Sequence, residues 1–223
     1  MRVKNDGLKY IPKPRSIFAT NKETTEEFNQ YRIEYDEFIL YADREFGRLI
    51  DYLEKYGLLA NTWIVLTSDH GEMFDRGIAG HNTPVLYEPV VRVPLVIIEP
   101  GREIREDVFI PTSAVDLLTT LLHVTGQKQA KWTEGTVLPP YNNEYSRESR
   151  NIYVLEAVEN EKYQPLTIAT TAMIKDRYKL IYFFGYEILN GTNSEFIELY
   201  ALRNDPEELN NLFLTKKDIG VDL

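Results

Sequence analysis

The longest hydrophobic pattern in the chain predicts an amphipathic helix from Thr25 to Tyr56. Thr24 and Glu27 have the spacing of a capping box, and Gly57 stands where a helix commonly ends. Apolar residues recur between these limits at spacings of three and four, namely Phe28, Tyr31, Tyr35, Phe38, Ile39, Ala42, Phe46, Leu49, Ile50 and Leu53. This spacing places them on one face, so we expect the helix to cover a sheet.

Two short apolar runs predict buried strands on either side of a loop. Residues 62–67 are apolar without alternation, which is typical of a parallel strand covered on both faces, and residues 92–98 predict a second buried strand. The glycine-containing segment between them, 68–88, is interpreted as a loop. A second helix is predicted from Ser113 to Val124, with Ser113 and Asp116 at capping spacing. A helix that leads into a buried strand is half of a βαβ unit, so we expect an α/β layer.

The remainder of the chain predicts an antiparallel sheet. Residues 152–158, 166–175, 178–186 and 196–202 are β-like runs, and Lys175 to Arg177 forms a turn between two of them. Pro206 has the position of a first helical residue, which predicts a terminal helix. We therefore divide the chain into an irregular lead-in (1–22), an α/β region (23–149) and an antiparallel β subdomain with a terminal helix (150–223).

Composition and charge narrow the function classes. The 223 residues carry a formal net charge of −10, which argues against nucleic acid as a partner because phosphate binding needs clustered Lys and Arg. No apolar run approaches the roughly 18 residues of a membrane span. No signal pattern is visible, so the compartment, cytoplasmic or exported, stays open. The absence of cysteine excludes disulfides and zinc–thiolate sites.

The candidate chemistry is concentrated in residues 68–88. Asp69 and His70 directly follow the first predicted strand, and ligands of open α/β sheets bind at the carboxyl ends of strands. A carboxylate and an imidazole at that point can ligate a divalent cation, although the pair is also compatible with a solvated loop. His81 lies in the same segment, so two of the three histidines are within it. Glu72 either orients a bound group or His81, or is a solvated loop carboxylate.

Several motifs in series resemble the sulfatase family of the alkaline phosphatase superfamily. They are Ser68-Asp69-His70-Gly71-Glu72, Gly80-His81, Leu86-Tyr87-Glu88, Arg92-Val93-Pro94-Leu95, Arg177-Tyr178-Lys179-Leu180-Ile181 and Asn204-Asp205-Pro206-Glu207-Glu208. The resemblance runs from about Tyr31 to Leu214. It implies an α/β fold with a partial alkaline-phosphatase-like layered sheet and helices, in which residues 23–149 are the C-terminal part of the α/β domain. A smaller C-terminal antiparallel sheet subdomain completes the implied fold.

The resemblance also implies site roles. Asp69 and His70 take the positions of metal ligands. The metal of sulfatases is usually calcium, whereas related phosphodiesterases often use manganese or zinc, which suit an imidazole ligand better. His81 stands where many sulfatases have a lysine that contacts the sulfate and the leaving group. A histidine at that position can donate a hydrogen bond or a proton to the leaving oxygen, so His81 is the candidate catalytic residue, with an exposed loop histidine as the alternative.

The family's nucleophile is not found in the sequence. Sulfatases convert the Cys or Ser of a short motif ending in Pro-x-Arg to formylglycine, and this chain has no Cys. Its only similar string, Pro12 to Arg15, has neither Ser nor Cys at the needed place. We therefore expect a fragment whose missing N-terminal half supplies the formylglycine, and we expect this chain alone to be inactive.

The expected function is metal-dependent hydrolysis of a sulfate ester on a small molecule or a glycan. The alternatives within the superfamily are a phosphodiesterase, a phosphonate hydrolase or a phosphoglycerol transferase, which share the Ser-Asp-His-Gly-Glu core. The segment from Asn204 to Leu212 favours a sulfatase. A non-catalytic binding domain is the alternative of another class. A Cys/Ser-x-Pro-x-Arg motif upstream of Met1 would favour the sulfatase, and a Thr nucleophile would favour phosphoryl chemistry.

If the chain is a fragment, as expected, it should also associate with other chains. Without an N-terminal half, one sheet edge and the apolar faces beside it are exposed, and such surfaces pair with other chains. We expect a homodimer through this edge. The alternative is that residues 1–22 cover it.

Overall fold

The lead-in is described only in part. The computed structural model describes residues 13–19, 22–142, 150–157, 160–189, 195–216 and 219. Most of the lead-in therefore lies outside the described residues, including the apolar positions before residue 13. In segment 13–19, Phe18 is buried and its ring stacks on Phe183 with centroids 4.8 Å apart. The backbone N–H of Ser16 donates to the carbonyl of Arg76. This segment therefore packs into the core beside the C-terminal sheet.

Helix α1 (Thr25–Lys55) begins at the predicted residue and ends one residue before the predicted end. The Thr24 side chain accepts from the N–H of Glu27, and the Glu27 carboxylate accepts from the N–H of Thr24, which completes the capping box. At the other end, Gly57 has a φ of 68° and the N–H of Leu58 donates to Leu53. These are the features of a Schellman motif, which needs a left-handed residue at this position.

The apolar stripe of α1 is largely exposed, which corrects the expectation that it covers the first two strands. Phe28 is the one buried residue of the helix, whereas Phe38 is 75 % exposed and Ile39 is 52 % exposed. The contacts of α1 with strands are chiefly with the strand Met73–Asp75 (β2), where the rings of Tyr35 and Phe74 lie 5.2 Å apart. The periodicity therefore predicts the helix correctly, but the stripe has little to pack on among the described residues.

Strands β1 (Ile64–Thr67) and β4 (Leu95–Ile98) pair antiparallel, with Val65 opposite Ile97. The expected parallel arrangement is wrong, and so is the expected burial on both faces, since Leu66 and Val96 are exposed. An unalternating apolar run indicates a strand with apolar surroundings, but it carries no information on the direction of the neighbouring strand. The α/β class is confirmed, with antiparallel sheets.

The segment between these strands contains regular structure that the loop interpretation missed. Strands β2 (Met73–Asp75) and β3 (Ile78–Gly80) form a hairpin, and helix α2 (Glu88–Val91) follows it. The hairpin turn is Arg76-Gly77, whose φ angles of 55° and 75° are those of a type I′ turn. Helix α3 (Asp116–Val124) begins three residues after the predicted start.

The four C-terminal strands form the predicted antiparallel sheet in the order of the sequence. They are β5 (Ile152–Glu156), β6 (Ala169–Lys175), β7 (Tyr178–Phe184) and β8 (Glu195–Ala201). The expected terminal helix is not present in residues 204–216, which form turns and irregular structure. Glu208 has a φ of 52°, which a continuing right-handed helix does not allow. The side chain of Asp205 instead accepts from the N–H groups of Leu209 and Asn210.

The main core lies between the hairpin region and the C-terminal sheet. Met73 and Val85 of the former and Ile181 and Phe183 of the latter are fully buried in one cluster. The boundary at residue 149 therefore stays a prediction, since residues from both sides of it share this core. In the part of the chain that the structure describes, no helix is both long and apolar enough to cross a membrane.

Candidate metal and catalytic site

The Ser-Asp-His segment leaves the end of β1 in a tightly hydrogen-bonded turn. The backbone N–H of His70 donates to Asp69 Oδ1 over 2.9 Å, and Ser68 Oγ donates to the carbonyl of His70 over 2.6 Å. The N–H of Gly71 donates to the carbonyl of Val90 over 2.7 Å and joins the segment to α2. The His70 N–H is the main reason why the pKa of the Asp69 carboxyl is lowered, and the charge of His70 acts in the same direction.

The hairpin brings Glu72 and His81 together. Its register pairs Met73 with Gly80, so the next positions outward, 72 and 81, face one another across the two strands. His81 Nδ1 lies 3.0 Å from Glu72 Oε2. Glu72 is therefore placed to orient the His81 ring, which is one of the two interpretations of Glu72 that the sequence left open.

The rings of His70 and His81 then meet in a stack. Their centroids lie 3.8 Å apart, with an angle of 28° between the planes. His70 Nδ1 lies 2.9 Å from the carbonyl of Gly71, which is an acceptor, so the neutral ring places its proton on Nδ1 and its lone pair on Nε2. Both side chains are 40 % exposed and therefore accessible from solvent.

The residues fit a divalent cation. His70 Nε2 lies 3.6 Å from Asp69 Oδ2, close to the separation of about 3.3 Å expected for two ligands on one tetrahedral ion. A second grouping joins His70, Glu72 and His81, each of which has one ligand atom within 4.8 Å of the others. The side chain of Asp69 is 85 % exposed, so its free oxygen can approach a cation without displacing protein atoms.

A buried ion cluster holds α2 behind the site. Lys179 on β7 is fully buried, and its Nζ lies 2.9 Å from both Glu88 Oε1 and Glu208 Oε1. Glu208 Oε2 accepts from the N–H of Glu88 at the start of α2. Burial raises the pKa of the Glu208 carboxyl, and Lys179 opposes this shift. The Glu88 N–H therefore hydrogen-bonds one oxygen of this buried carboxylate, and the ammonium group of Lys179 forms an ion pair with the other.

A second buried group anchors the hairpin turn to the C-terminal segment. The guanidinium of Arg76 donates to the carbonyls of Glu207 and Glu208 and lies 4.4 Å from the ring centroid of Tyr87. These contacts explain how a non-glycine residue keeps a positive φ in the turn. These contacts attach the hairpin turn to residues 207 and 208. They therefore help to hold Glu72 and His81, which flank the two hairpin strands, in place.

Comparison with known families decides the classification. The sulfatase family profile matches residues 4–127, more than half of the chain. The chain belongs to the sulfatase family. The profile of the C-terminal region of N-sulphoglucosamine sulphohydrolase matches residues 80–221, so the two profiles together extend over nearly the whole sequence. The resemblance inferred from the motifs is thereby confirmed, and the chain is a member of a family of hydrolases.

Individual relatives agree with this assignment. The choline-sulfatase of Rhizobium meliloti is 31 % identical over 85 % of this chain and 34 % of its own length. The N-acetylglucosamine-6-O-sulfatase of Bacteroides thetaiotaomicron is 30 % identical over 84 % of this chain and 33 % of its own length. The chain therefore spans about a third of the length of the curated relatives it matches.

A solved structure supports the fold. The phosphonate monoester hydrolase of Agrobacterium radiobacter superposes with a TM-score of 0.70 and 24 % identity, over 90 % of this chain and 40 % of that protein. This similarity shows a shared fold, of the alkaline-phosphatase-like type that sulfatases have.

The sequence predicts Asp69, His70 and His81 as site residues, and the fold brings the two histidine rings into contact. The sequence pattern did not reveal the hairpin that pairs Glu72 with His81, because residues 68–88 were interpreted as a loop. A signal was present: Met73-Phe74 and Ile78-Ala79 flank a short turn that contains glycine, which is the pattern of a tight hairpin.

Proposed function

We propose that this chain carries the metal-binding part of the active site of a sulfate ester hydrolase. The observation that supports this function is the convergence of Asp69, His70 and His81 at the end of β1 in a member of the sulfatase family. The family suggests a divalent metal, and the carboxylate and imidazole described above are suitable ligands for one. Calcium is the proposed ion, with manganese or zinc as alternatives because His70 supplies nitrogen.

In this proposal each residue has a separate role. Asp69 Oδ2 and His70 Nε2 hold the metal, which supplies Lewis-acid polarisation of the ester oxygens. His81 donates a hydrogen bond or a proton to the leaving oxygen. Glu72 holds the His81 ring through Nδ1, which leaves Nε2 as the nitrogen available to the substrate. The hairpin register keeps this pair in place, since positions 72 and 81 are set by the β2–β3 pairing.

We further propose that the nucleophile is a formylglycine in a part of the protein that this chain does not contain. Two observations support this: the chain spans about a third of its relatives' length, and it has no cysteine. Since attack on the ester needs both the nucleophile and the metal, residues 1–223 alone should turn over aryl sulfates no faster than background.

The proposed substrate is a sulfate ester of a small molecule or a glycan. The relatives named for choline and for N-acetylglucosamine sulfate belong to these two classes. The net charge of −10 favours the metal as the group that attracts the anionic ester, because the protein as a whole repels it.

The second candidate is a phosphodiesterase or phosphonate ester hydrolase of the same superfamily. The observation that favours it is His70, since an imidazole ligand suits manganese or zinc better than calcium. A phosphoglycerol transferase would use the same ligands but would need an alcohol acceptor in place of water.

The test is to express residues 1–223 together with the coding sequence that precedes them, and to assay the product against nitrophenyl sulfate and a nitrophenyl phosphonate ester. The expected result is sulfate ester turnover, with formylglycine detected by mass spectrometry. Asp69→Ala should lower turnover by at least about a hundredfold, and His81→Gln by roughly a hundredfold or more. His123→Gln, an exposed histidine on α3, is the matched control and should have no effect.

Three outcomes would contradict the proposal. Preferential turnover of the phosphonate ester would favour the second candidate. Turnover by residues 1–223 alone, abolished by Asp69→Ala, would show that the nucleophile lies in this chain. Absence of turnover of either ester by a folded longer protein would favour a non-catalytic binding domain.

A further inference from the structure

The stacked histidines, His70 and His81, lie close to Glu72 in a group that could bind a metal ion of its own. One ring nitrogen of His70, one of His81 and one carboxylate oxygen of Glu72 lie within 4.8 Å of one another. The remaining histidine, His123, is exposed on α3 and is not part of this group. Two imidazoles and a carboxylate form the donor set that zinc-class cations prefer, and it differs from the Asp69–His70 pair assigned to the active-site metal.

Two of the three ligand atoms already lie at a spacing that suits one ion. His81 Nδ1 and Glu72 Oε2 are 3.0 Å apart, close to the separation of about 3.3 Å between two ligands of tetrahedral zinc. A cation can therefore replace the proton that these two atoms share. His70 Nδ1 lies at hydrogen-bond distance from the Gly71 carbonyl, which orients Nε2 as the free ligand atom. To bring a nitrogen to the same ion, the His70 ring has to leave its stack with His81; it is 40 % exposed and therefore has room to turn.

We propose that His70, Glu72 and His81 form a binding site for a zinc-class cation, and that an ion there inhibits the enzyme. Three protein ligands leave a fourth position for water, as in open zinc sites. Calcium is disfavoured, because it takes six or more oxygen ligands and this group offers two nitrogens. The inhibitory part rests on the proposed function: an ion on His81 and His70 breaks the Glu72–His81 hydrogen bond and diverts His70 from the active-site metal.

The experiment is a titration of the purified 223-residue chain with Co²⁺, which reports tetrahedral nitrogen and oxygen ligation through its visible absorption. The expected result is one bound ion per chain, displaced by an equimolar amount of Zn²⁺ and retained in excess Ca²⁺. His81→Gln and Glu72→Gln should each weaken binding by at least about tenfold, whereas His123→Gln should leave it unchanged. Circular dichroism verifies that the variants fold.

The proposal is overturned if no Co²⁺ binds, if Ca²⁺ displaces it at equal concentration, or if His81→Gln binds as tightly as the unsubstituted chain. Asp69→Ala distinguishes this site from the active-site pair, because it should weaken Co²⁺ binding less than His81→Gln does. Binding is measured without turnover, so failure of the proposed sulfatase activity does not affect this result. Inhibition is then measured on the longer protein, where Zn²⁺ should lower turnover; unchanged turnover with zinc bound overturns the inhibitory part.

Discussion

Replacing Lys179 with Met tests whether the buried ion cluster under α2 holds the fold together. The side chain of Lys179 is fully buried and bridges Glu88 and Glu208 at 2.9 Å each. Methionine has a similar length and no charge, so the variant removes the ammonium group with little change in packing. Two carboxylates are then left close together without their cation, and the Glu208 side chain is 1 % exposed.

The burial of Glu208 sets the expected loss in the free energy of unfolding. Removing one partner of a buried ion pair costs about 3–5 kcal/mol, because the remaining charge is uncompensated. The Glu88 side chain is 16 % exposed and keeps some solvation, so the lower end of this range is expected, about 3 kcal/mol. That is a large fraction of the roughly 5–15 kcal/mol by which folded domains are stable. For a urea m-value of about 2–3 kcal/mol per M, the unfolding midpoint should fall by about 1–1.5 M.

The assay is urea unfolding followed by circular dichroism. Lys131→Met, at an exposed position, is the matched control and should change the free energy of unfolding by less than about 0.5 kcal/mol. Adding Glu208→Gln to Lys179→Met removes the orphaned charge but keeps an oxygen that can accept from the Glu88 N–H. The double variant should therefore be less destabilised than the sum of the two single variants.

The pH dependence gives an independent check. The folded-state pKa of Glu208 already lies above its ordinary value of 4.5, and loss of Lys179 raises it further. A carboxyl with a raised folded pKa binds protons more tightly when folded, so stability falls as pH rises from 4.5 through the folded pKa. The deficit of Lys179→Met should therefore shrink as pH falls toward 4.5. A loss no larger than that of Lys131→Met, or a deficit that does not change with pH, would refute the reasoning.

Three further predictions concern other parts of the molecule. Burial raises the pKa of Glu198 above 4.5, so the free energy of unfolding should fall as pH rises through the folded pKa, and Glu198→Gln should flatten that dependence in urea titrations at several pH values. Gly71→Ala places a Cβ 2.0 Å from the backbone oxygen of Pro89 and should lower the free energy of unfolding by about 1–3 kcal/mol. The control Gly47→Ala has open space around its Cβ on α1 and should raise the free energy of unfolding by about 0.5–1 kcal/mol. Light scattering should give the dimer expected from the sequence. Phe38 is 75 % exposed on the apolar face of α1, so we now place the contact on this face rather than on a sheet edge, and Phe38→Lys should weaken the dimer; a monodisperse monomer of the unsubstituted chain would contradict this.

The sequence determined the elements whose signals are local. The limits of α1 follow from the capping box at Thr24 and the glycine at 57, and both signals act within a few residues of the helix end. The C-terminal strands follow from β-like runs, and the two-residue turn between β6 and β7 favours the antiparallel pairing of those two strands. Asp69, His70 and His81 were identified from the order of motifs along the chain, and their roles remain proposals.

Tertiary structure decided what depends on distant residues. An apolar run does not encode the direction of its partner, so the antiparallel pairing of β1 with β4 could not be derived from 62–67 and 92–98 alone. The segment after Pro206 resembles a helix start, but Glu208 turns inward to reach Lys179 and the start of α2, a favourable contact that local propensity does not contain. Glu72 and His81 meet because the hairpin register places them opposite one another, and that register depends on an Arg76 turn anchored by the carbonyls of residues 207 and 208. Such long-range contacts outweigh local preference because a buried charge without its partner costs more than any single helical propensity.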